Sequence, residues 1–316
     1  MEKEKRCDPV GRIKQRRGWP VLLAVATAVG AALLTFGLYD GSSARAQTAG
    51  KAVLVGAGDI ASCESRGDRA TAKLLGSISG TIFAAGDNVY ENSTLSDFRT
   101  CYGRTWGHYK NRTKPVVGNH EYDNPGASGY FNYFGAAAGQ RGKGYYSYDR
   151  DAWHIVALNS ECEHLRGGCA ATSPMLRWLE DDLEANPARC TLAYFHRPRF
   201  SSGQNGNNAK MRPIWNALYK ANADVVVGGH DHVYERFARQ TPKGVRSARG
   251  IREFVVGTGG VNHGKFKTVE ANSQVHNAHT YGVLKLALHP ASYSWRFVPV
   301  AGKTFTDSGT TKCNSG

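Results

Sequence analysis

The stretch Ala223-Asp224-Val225-Val226-Val227-Gly228-Gly229-His230-Asp231-His232 decides how this chain is read. Three consecutive valines predict a short strand buried on both faces. Two glycines end it. Two imidazoles follow, two positions apart, which in extended chain puts both on one side. Four other apolar runs end the same way. Ala52–Gly58 runs into Asp59, and Thr81–Ala85 into Gly86-Asp87-Asn88-Val89-Tyr90. Lys114–Gly118 runs into Asn119-His120-Glu121, and Cys190–Phe195 into His196-Arg197-Pro198. Each strand end therefore delivers a residue type that binds metal. Loops at strand ends are where α/β sheets gather their sites. A glycine before the ligand position lets the backbone turn sharply and aim the side chain inward.

Helical segments alternate with these strands. Arg69–Ile78 carries apolar residues at helical spacing, Ser173–Ala185 reads as an amphipathic helix with Pro174 in its first turn, and Pro213–Ala221 is a shorter one. Trp153–Asn159 is a further strand. Beyond Val233 the texture changes to strands alone: Val233–Gln240, Arg252–Gly257, Thr280–His289 and Ser292–Val300. Alternating βα units followed by β-hairpins predict layered sheets flanked by helices, with no linker inside residues 50–316.

The chemistry of the strand-end set is that of a two-ion site. Asp59, Asp87 and Tyr90 offer hard oxygens, Asn119 an amide carbonyl, and His196, His230 and His232 imidazoles. One aspartate is enough to bridge. A mixed N/O set without thiolate suits iron, manganese or zinc. Two ions ~3.5–4 Å apart stabilise the attacking and leaving oxygens of an in-line displacement.

These five motifs, in this order, resemble the calcineurin-like metallophosphoesterase family over about residues 50–300. The tyrosine of Gly-Asp-Asn-Val-Tyr resembles its purple acid phosphatase branch in particular. The resemblance implies a four-layer α/β (α+β) sandwich, two mixed β-sheets flanked by helices, with a dinuclear metal site at the strand-end loops. It implies that Asp59, Asp87, Tyr90 and His232 hold a ferric ion. It implies that Asp87, Asn119, His196 and His230 hold a second ion, Fe2+, Zn2+ or Mn2+. His120 would sit over the substrate phosphate or protonate the leaving group. The implied activity is that of an acid phosphatase-like phosphomonoesterase, in which a metal-bound hydroxide attacks a small phosphate ester. Phe254-Val255-Val256-Gly257-Thr258-Gly259-Gly260 resembles the family's late strand. One departure stands out: Asn205 occupies the position, nine after His196, where the family often carries a further histidine. Asparagine cannot supply a proton as an acid does.

The rest of the chain bears on location and partners. The chain has a net charge of +14 from 40 Lys+Arg and 26 Asp+Glu. Residues 1–46 combine a basic start, an uncharged apolar run from Trp19 to Tyr39 and Ala44-Arg45-Ala46. They read as a secretory signal, or as a retained membrane anchor because the run is long enough to span. The catalytic domain is then 47–316, outside the cytoplasm (secreted, extracellular or periplasmic). The leading segment holds eight Lys+Arg and four Asp+Glu, so a net +10 remains on the other 270 residues. That surplus suits a small anionic ester without calling for a specific nucleic acid. Six cysteines remain, and an even count in an exported chain suggests disulfides. Cys162 and Cys169 bracket a Gly-Gly turn, Cys63–Cys101 would clip two loops, and Cys190–Cys313 would pin the C-terminal tail. Buried free thiols are the alternative.

Two other functions compete. A phosphodiesterase or nuclease would use the basic run Arg236, Arg239, Lys243, Arg246, Arg249 and Arg252, which as an alternating hairpin otherwise reads as a solvated face. A non-catalytic surface-binding protein would be expected to have lost ligands. The remaining candidates have structural readings. Asp231 points away, Glu121 orients a neighbour, His154 is structural, and Tyr130, Phe131, Tyr133 and Phe134 form core at helical spacing. Arg197 and Arg199 reach either substrate phosphate or solvent. The sequence is silent on oligomeric state.

Overall fold

Residues 52–314 are described by a computed structural model. Strands are β1 (Ala52–Ala57), β2 (Thr81–Ala85), β3 (Thr113–Val116), β4 (Tyr146–Arg150), β5 (Trp153–Ala157), β6 (Cys190–Tyr194) and β7 (Val225–Gly228). They continue with β8 (Tyr234–Phe237), β9 (Arg252–Val256), β10 (Ser273–Asn277), β11 (Gly282–His289), β12 (Ser292–Pro299) and β13 (Ser308–Lys312). Helices are α1 (Gly67–Ser77), α2 (Leu95–Thr100), α3 (Ser128–Phe134), α4 (Pro174–Ala185) and α5 (Arg212–Lys220). Two mixed sheets form, one of six strands in the order β13-β12-β11-β1-β2-β3 and one of seven in the order β10-β8-β9-β7-β6-β5-β4. This is the expected sandwich of two mixed sheets flanked by helices.

The central strands are buried on both faces, as their unbroken apolar runs require. On β6, β7 and β9 the side chains alternate between two cores. Leu192, Tyr194, Val225, Val227, Phe254 and Val256 join the first cluster together with residues of the six-stranded sheet, Leu54, Ile82 and Leu284 among them. Ala193, Val226 and Val255 face the other way, onto Leu176, Leu179, Ile214, Trp215 and Leu218 of α4 and α5. Ser173 caps α4 by accepting from the Leu176 amide, with Pro174 in the first turn.

Parallel strands β1, β2 and β3 lie side by side in the first sheet, and β5, β6 and β7 in the second. Five strand ends are thereby directed to one place: Ala57, Ala85 and Val116 from one sheet, and Tyr194 and Gly228 from the other. No helix starts beyond α5 among the described residues, in keeping with the change of texture after Val233. The elements not foreseen are α2, β4, β10 and β13, and several short 3-10 turns. They are edge strands or polar segments of weak periodicity.

Three disulfides link Cys63–Cys101, Cys162–Cys169 and Cys190–Cys313, the three pairings singled out in the sequence. Such bonds fit an oxidising compartment. The apolar run at 19–39, read as signal or anchor, lies outside the described residues. No helix among the described residues is long and apolar enough to cross a membrane.

Two expectations are corrected. Arg236 and Arg252 do not belong to the expected solvated face, whereas Lys243, Arg246 and Arg249 are exposed on it. Their guanidinium groups lie 5.1 and 4.9 Å from the centre of the Trp295 ring. Arg236 also pairs with Asp307 at 2.7 Å. The ligand residues, moreover, do not rely only on a preceding glycine for their turn. Asp59, Asp87 and His230 themselves have φ of 59°, 47° and 68°. Left-handed backbone at non-glycine residues clusters at functional sites, because only a surrounding structure can hold it. Glycine supplies room instead. A Cβ at Gly118 would stand 2.2 Å from Asp87 Oδ1, and one at Gly229 2.6 Å from Asp59 Oδ2.

Candidate active site

The five strand ends bring all seven expected ligand residues and His120 into one polar cluster, arranged as two groups that share an atom. In the first, Tyr90 Oη lies 3.1 Å from Asp59 Oδ1, 3.0 Å from Asp87 Oδ2 and 3.3 Å from His232 Nε2. His232 Nε2 is 3.2 Å from Asp59 Oδ1. In the second, His196 Nε2 lies 3.1 Å from Asn119 Oδ1, 3.2 Å from Asp87 Oδ2 and 3.2 Å from His230 Nδ1. Asp87 Oδ2 belongs to both. Because His230 is left-handed, the segment is not extended there. The two imidazoles diverge, His230 to the second group and His232 to the first.

The donor chemistry fits cations. His196 Nδ1 lies 2.9 Å from the Ala85 carbonyl, which can only accept, so Nδ1 carries the proton. In the neutral ring Nε2 is then a lone pair, and it faces two more acceptors, Asn119 Oδ1 and Asp87 Oδ2. Likewise His232 Nδ1 meets Asn262 Oδ1, and its Nε2 faces Asp59 Oδ1. Acceptors facing acceptors in a buried site need a proton or a metal ion between them. The charges report the same demand. Burial alone would lower both histidines, yet the nearby carboxylates raise His196 to about 10, chiefly through Asp87, and His232 to about 9, chiefly through Asp59. Burial would raise Asp87, but His196 and His120 hold it well below the usual carboxylate range. Burial and the two aspartates push the Tyr90 phenol well above its ordinary value, so a phenolate there needs a neighbouring cation. Burial, His196 and Arg197 push His230 down to about 2. Asp87, His196 and His230 offer atoms close enough together to bind one ion. Imidazoles held by a backbone carbonyl or amide on the far nitrogen are the usual outer support of metal ligands.

His120 lies over the shared carboxylate. Its amide donates to Asp87 Oδ1 at 2.9 Å and its ring packs on Tyr90 at 4.3 Å between centres. Its Nδ1 is 3.0 Å from Asp123, and the side chain remains one-third exposed. Asn205 is exposed at the surface, with its side chain bonded to the neighbouring loop. Its amide donates to the His230 carbonyl and to Asp231 Oδ1 at 3.2 and 3.1 Å. Asp231 points away from the ligand groups, as expected, into the 201–205 loop, where Ser201 and Asn205 donate to it.

Glu121 does more than orient one neighbour. Fully buried, it accepts from the amides of Asp87, Asn88 and Gly118 and from the Asn88 side chain. It ties the loop after β2 to the loop after β3. Burial and Asp87 push its carboxyl up, opposed by the Gly118 and Asn88 amides that donate to it. His154 is structural, held between Asp149 and Asp182 at 2.8 Å each. Tyr130, Phe131 and Phe134 are core of α3, with Tyr133 packed beside them. Arg199 is buried against Phe200 and away from the site, whereas Arg197 reaches it. Two supporting residues carried no signal in the sequence: Asn262, in a loop 30 positions after His232, and Glu161 behind Arg197.

A cleft of about 480 Å3 opens beside the second group, lined by Asn119, Arg197, Lys210 and the stacked pair Tyr122 and His164, whose rings are 3.9 Å apart and nearly parallel.

Comparison with known proteins bears on the family and the fold. The model of the calcineurin-like phosphoesterase family matches residues 55–234. Probable purple acid phosphatase 20 of Arabidopsis thaliana is 32% identical over 103 residues, which is 30% of this chain and 23% of that protein. Purple acid phosphatase 23 of the same plant is 29% identical over 154 residues, 42% of this chain and 32% of that protein. The chain thus spans only a quarter to a third of these relatives. Among solved structures, the purple acid phosphatase PPD1 of yellow lupin (Lupinus luteus) superposes with a TM-score of 0.65 at 17% identity, covering 84% of this chain and 54% of that one. GAP50, the anchor in the inner membrane complex of Plasmodium, gives 0.63 at 16% identity over 84% and 89%. These two likenesses concern the fold. With more than half its length matched by the family model, the chain belongs to the calcineurin-like phosphoesterase family, and the purple acid phosphatases are its relatives.

Proposed function

We propose that the chain is an exported phosphomonoesterase that works with two metal ions. The observation that carries this is the pair of acceptor groups sharing Asp87 Oδ2, one containing a phenol. Asp59, Asp87, Tyr90 and His232 would hold the first ion, which the phenol suits to Fe3+. Asp87, Asn119, His196 and His230 would hold the second, Fe2+, Zn2+ or Mn2+. Bound there, two cations supply Lewis acidity, a lowered pKa for water, and stabilisation of both oxygens of an in-line displacement. The residues of the chain do the rest. Asp59, through the His230 amide at 2.8 Å, fixes the turn that parts the two imidazoles. Glu121 sets the position of Asp87. His120, exposed above the pair, is placed to hold a phosphate oxygen or to give a proton to the leaving oxygen. Asn205 takes no such part, because its amide is committed to His230 and Asp231.

The alternative of a polymer-cleaving phosphodiesterase is less well supported, since Arg236 and Arg252 are spent on Trp295 and Asp307. A purely surface-binding role is disfavoured by the complete ligand set. The test is hydrolysis by the metal-loaded protein of p-nitrophenyl phosphate against bis(p-nitrophenyl) phosphate. The proposal expects the monoester to be preferred at low and high salt. Preference for the diester, or activity on a polymer that collapses steeply with salt, would replace it with the phosphodiesterase reading. Inactivity on both would leave the surface-binding reading.

A further inference from the structure

We propose that Arg197, braced by Glu161, is a phosphate-binding residue of this site. The proposal rests on the phosphomonoesterase reading above and goes beyond its ligand set.

Two adjacent parallel strand ends build the arrangement. The chain leaving β5 carries Ser160 and Glu161, and the chain leaving β6 carries His196 and Arg197. Glu161 is 1% exposed. Its Oε2 accepts from Arg197 Nε at 2.8 Å, and the Arg197 amide donates to Ser160 Oγ at 2.9 Å. The Cys162–Cys169 bond follows directly and ties down the loop that presents Glu161. The guanidinium is thus fixed at its root, unlike a solvated arginine.

Its far end is at the site. Nη1 lies 2.9 Å from His230 Nε2, the ring nitrogen turned away from His196 and Asp87. An arginine has five N–H donors, of which Nε is spent on Glu161; with His230 Nδ1 given to the second ion, its Nε2 would carry the ring proton and could not accept from Nη1, which leaves that donor to the cleft as well. Nη2 makes no hydrogen bond within the described residues, and the side chain keeps 27% of its surface, on the cleft shared with Asn119. A planar, permanently charged fork with unspent donors beside a phosphate-ester site matches phosphate oxygens in pairs. A surface ion pair would not explain why the carboxylate partner is buried, nor why the guanidinium faces the cleft. With Asn205 bonded to Asp231 and the other cation of the cleft, Lys210, paired with Glu163, Arg197 is the one that reaches a ligand residue.

The experiment uses the metal-loaded, disulfide-intact protein. Titration calorimetry measures inorganic phosphate binding, and steady-state kinetics on p-nitrophenyl phosphate separates KM from kcat. Metal content is measured on every variant. Arg197→Gln should weaken phosphate binding and raise KM by roughly ten- to a hundredfold, the loss of a charge-assisted hydrogen bond, with metal content kept. Arg197→Lys should recover part of the phosphate affinity. Glu161→Gln should give a smaller weakening, because the guanidinium remains but is no longer held. Phosphate affinity and KM within twofold of the parent in Arg197→Gln, with metals retained, would overturn the proposal. Loss of metal in that variant would also overturn it, since Arg197 would then serve His230 rather than substrate. Phosphate binding needs no turnover. A parent protein that binds phosphate through Arg197 but hydrolyses no monoester would refute the enzymatic reading while leaving this one standing.

Discussion

Glu121 is where the account can be pressed hardest on stability. Its carboxylate is fully buried and accepts four hydrogen bonds. Oε2 takes the amides of Asp87 at 3.0 Å and Gly118 at 2.6 Å, and Oε1 takes the amide and side chain of Asn88 at 2.6 and 3.2 Å. Replacing Glu121 by Gln keeps one oxygen and turns an NH2 either toward the amides of Asp87 and Gly118 or toward the amide and side chain of Asn88. Either way two donors lose their acceptor in a site closed to water. At about 1–3 kcal/mol for each buried donor left unsatisfied, the substitution should cost roughly 2–6 kcal/mol. That is a large part of a domain's typical margin of about 5–15 kcal/mol. In a domain of this size it corresponds to a melting-point loss of roughly 5–20 °C. Both placements loosen the loop that carries Asp87 and Asn88, so the shared ligand would shift and metal affinity would fall with stability. Thermal unfolding by circular dichroism, with metal analysis on the same samples, reads both effects. A Glu121→Gln protein melting within about 2 °C of the parent, with its metal content intact, would show that this carboxylate does not clasp the two loops.

Four further outcomes follow from the same geometry. Asp87→Ala should empty both ion positions, because Oδ2 belongs to both groups; retention of either metal by elemental analysis would contradict the shared-ligand assignment. Tyr90→Phe should keep the fold and lose any visible colour, and an unchanged spectrum would remove the phenol from the ligand set. His154 gives a pH dependence away from the site. Burial would lower its pKa, but the bonds from Asp182 and Asp149 more than offset this and raise it above 6.5. A raised histidine pKa stabilises the fold fully below the unfolded value, and the contribution is lost as pH rises through the folded value. The melting point should therefore decline as pH rises above 6.5, and His154→Gln should flatten that decline. Removal of the Cys190–Cys313 bond, which spans 123 residues, should cost about 5 kcal/mol on chain entropy, against about 2.5 kcal/mol for Cys162–Cys169, which spans seven. Equal losses in chemical denaturation would show that strain or residual structure outweighs loop length.

Much of the fold could be read directly from the chain because its central strands are short, apolar and punctuated by glycine. Thr81–Ala85 occupies the span its apolar run predicts, and Trp153, Cys190 and Val225 begin or lie within strands expected from the same texture. The edges were not legible. Ser273–Asn277 and Ser308–Lys312 are polar or half-exposed, and only their place in a sheet makes them strands. The ligand residues were legible because five motifs repeat one grammar, an apolar run followed by a glycine or an aromatic and then a ligand. The conformation that aims them was not. Nothing in Asp59, Asp87 or His230 as letters announces a left-handed backbone, which arises only when the neighbouring loops hold it. Nor could spacing reveal Asn262 behind His232 or Glu161 behind Arg197, since both partnerships cross between loops far apart in sequence.

The central claim is that two metal ions share Asp87, one of them bound by the Tyr90 phenol. A visible absorption spectrum of the purified protein, with elemental analysis of the same sample, tests it most directly. Two metal ions per chain are expected, with a tyrosinate-to-iron charge-transfer band that disappears in Tyr90→Phe. A folded protein that takes up fewer than two ions when iron and zinc are supplied, and shows no such band, would contradict it.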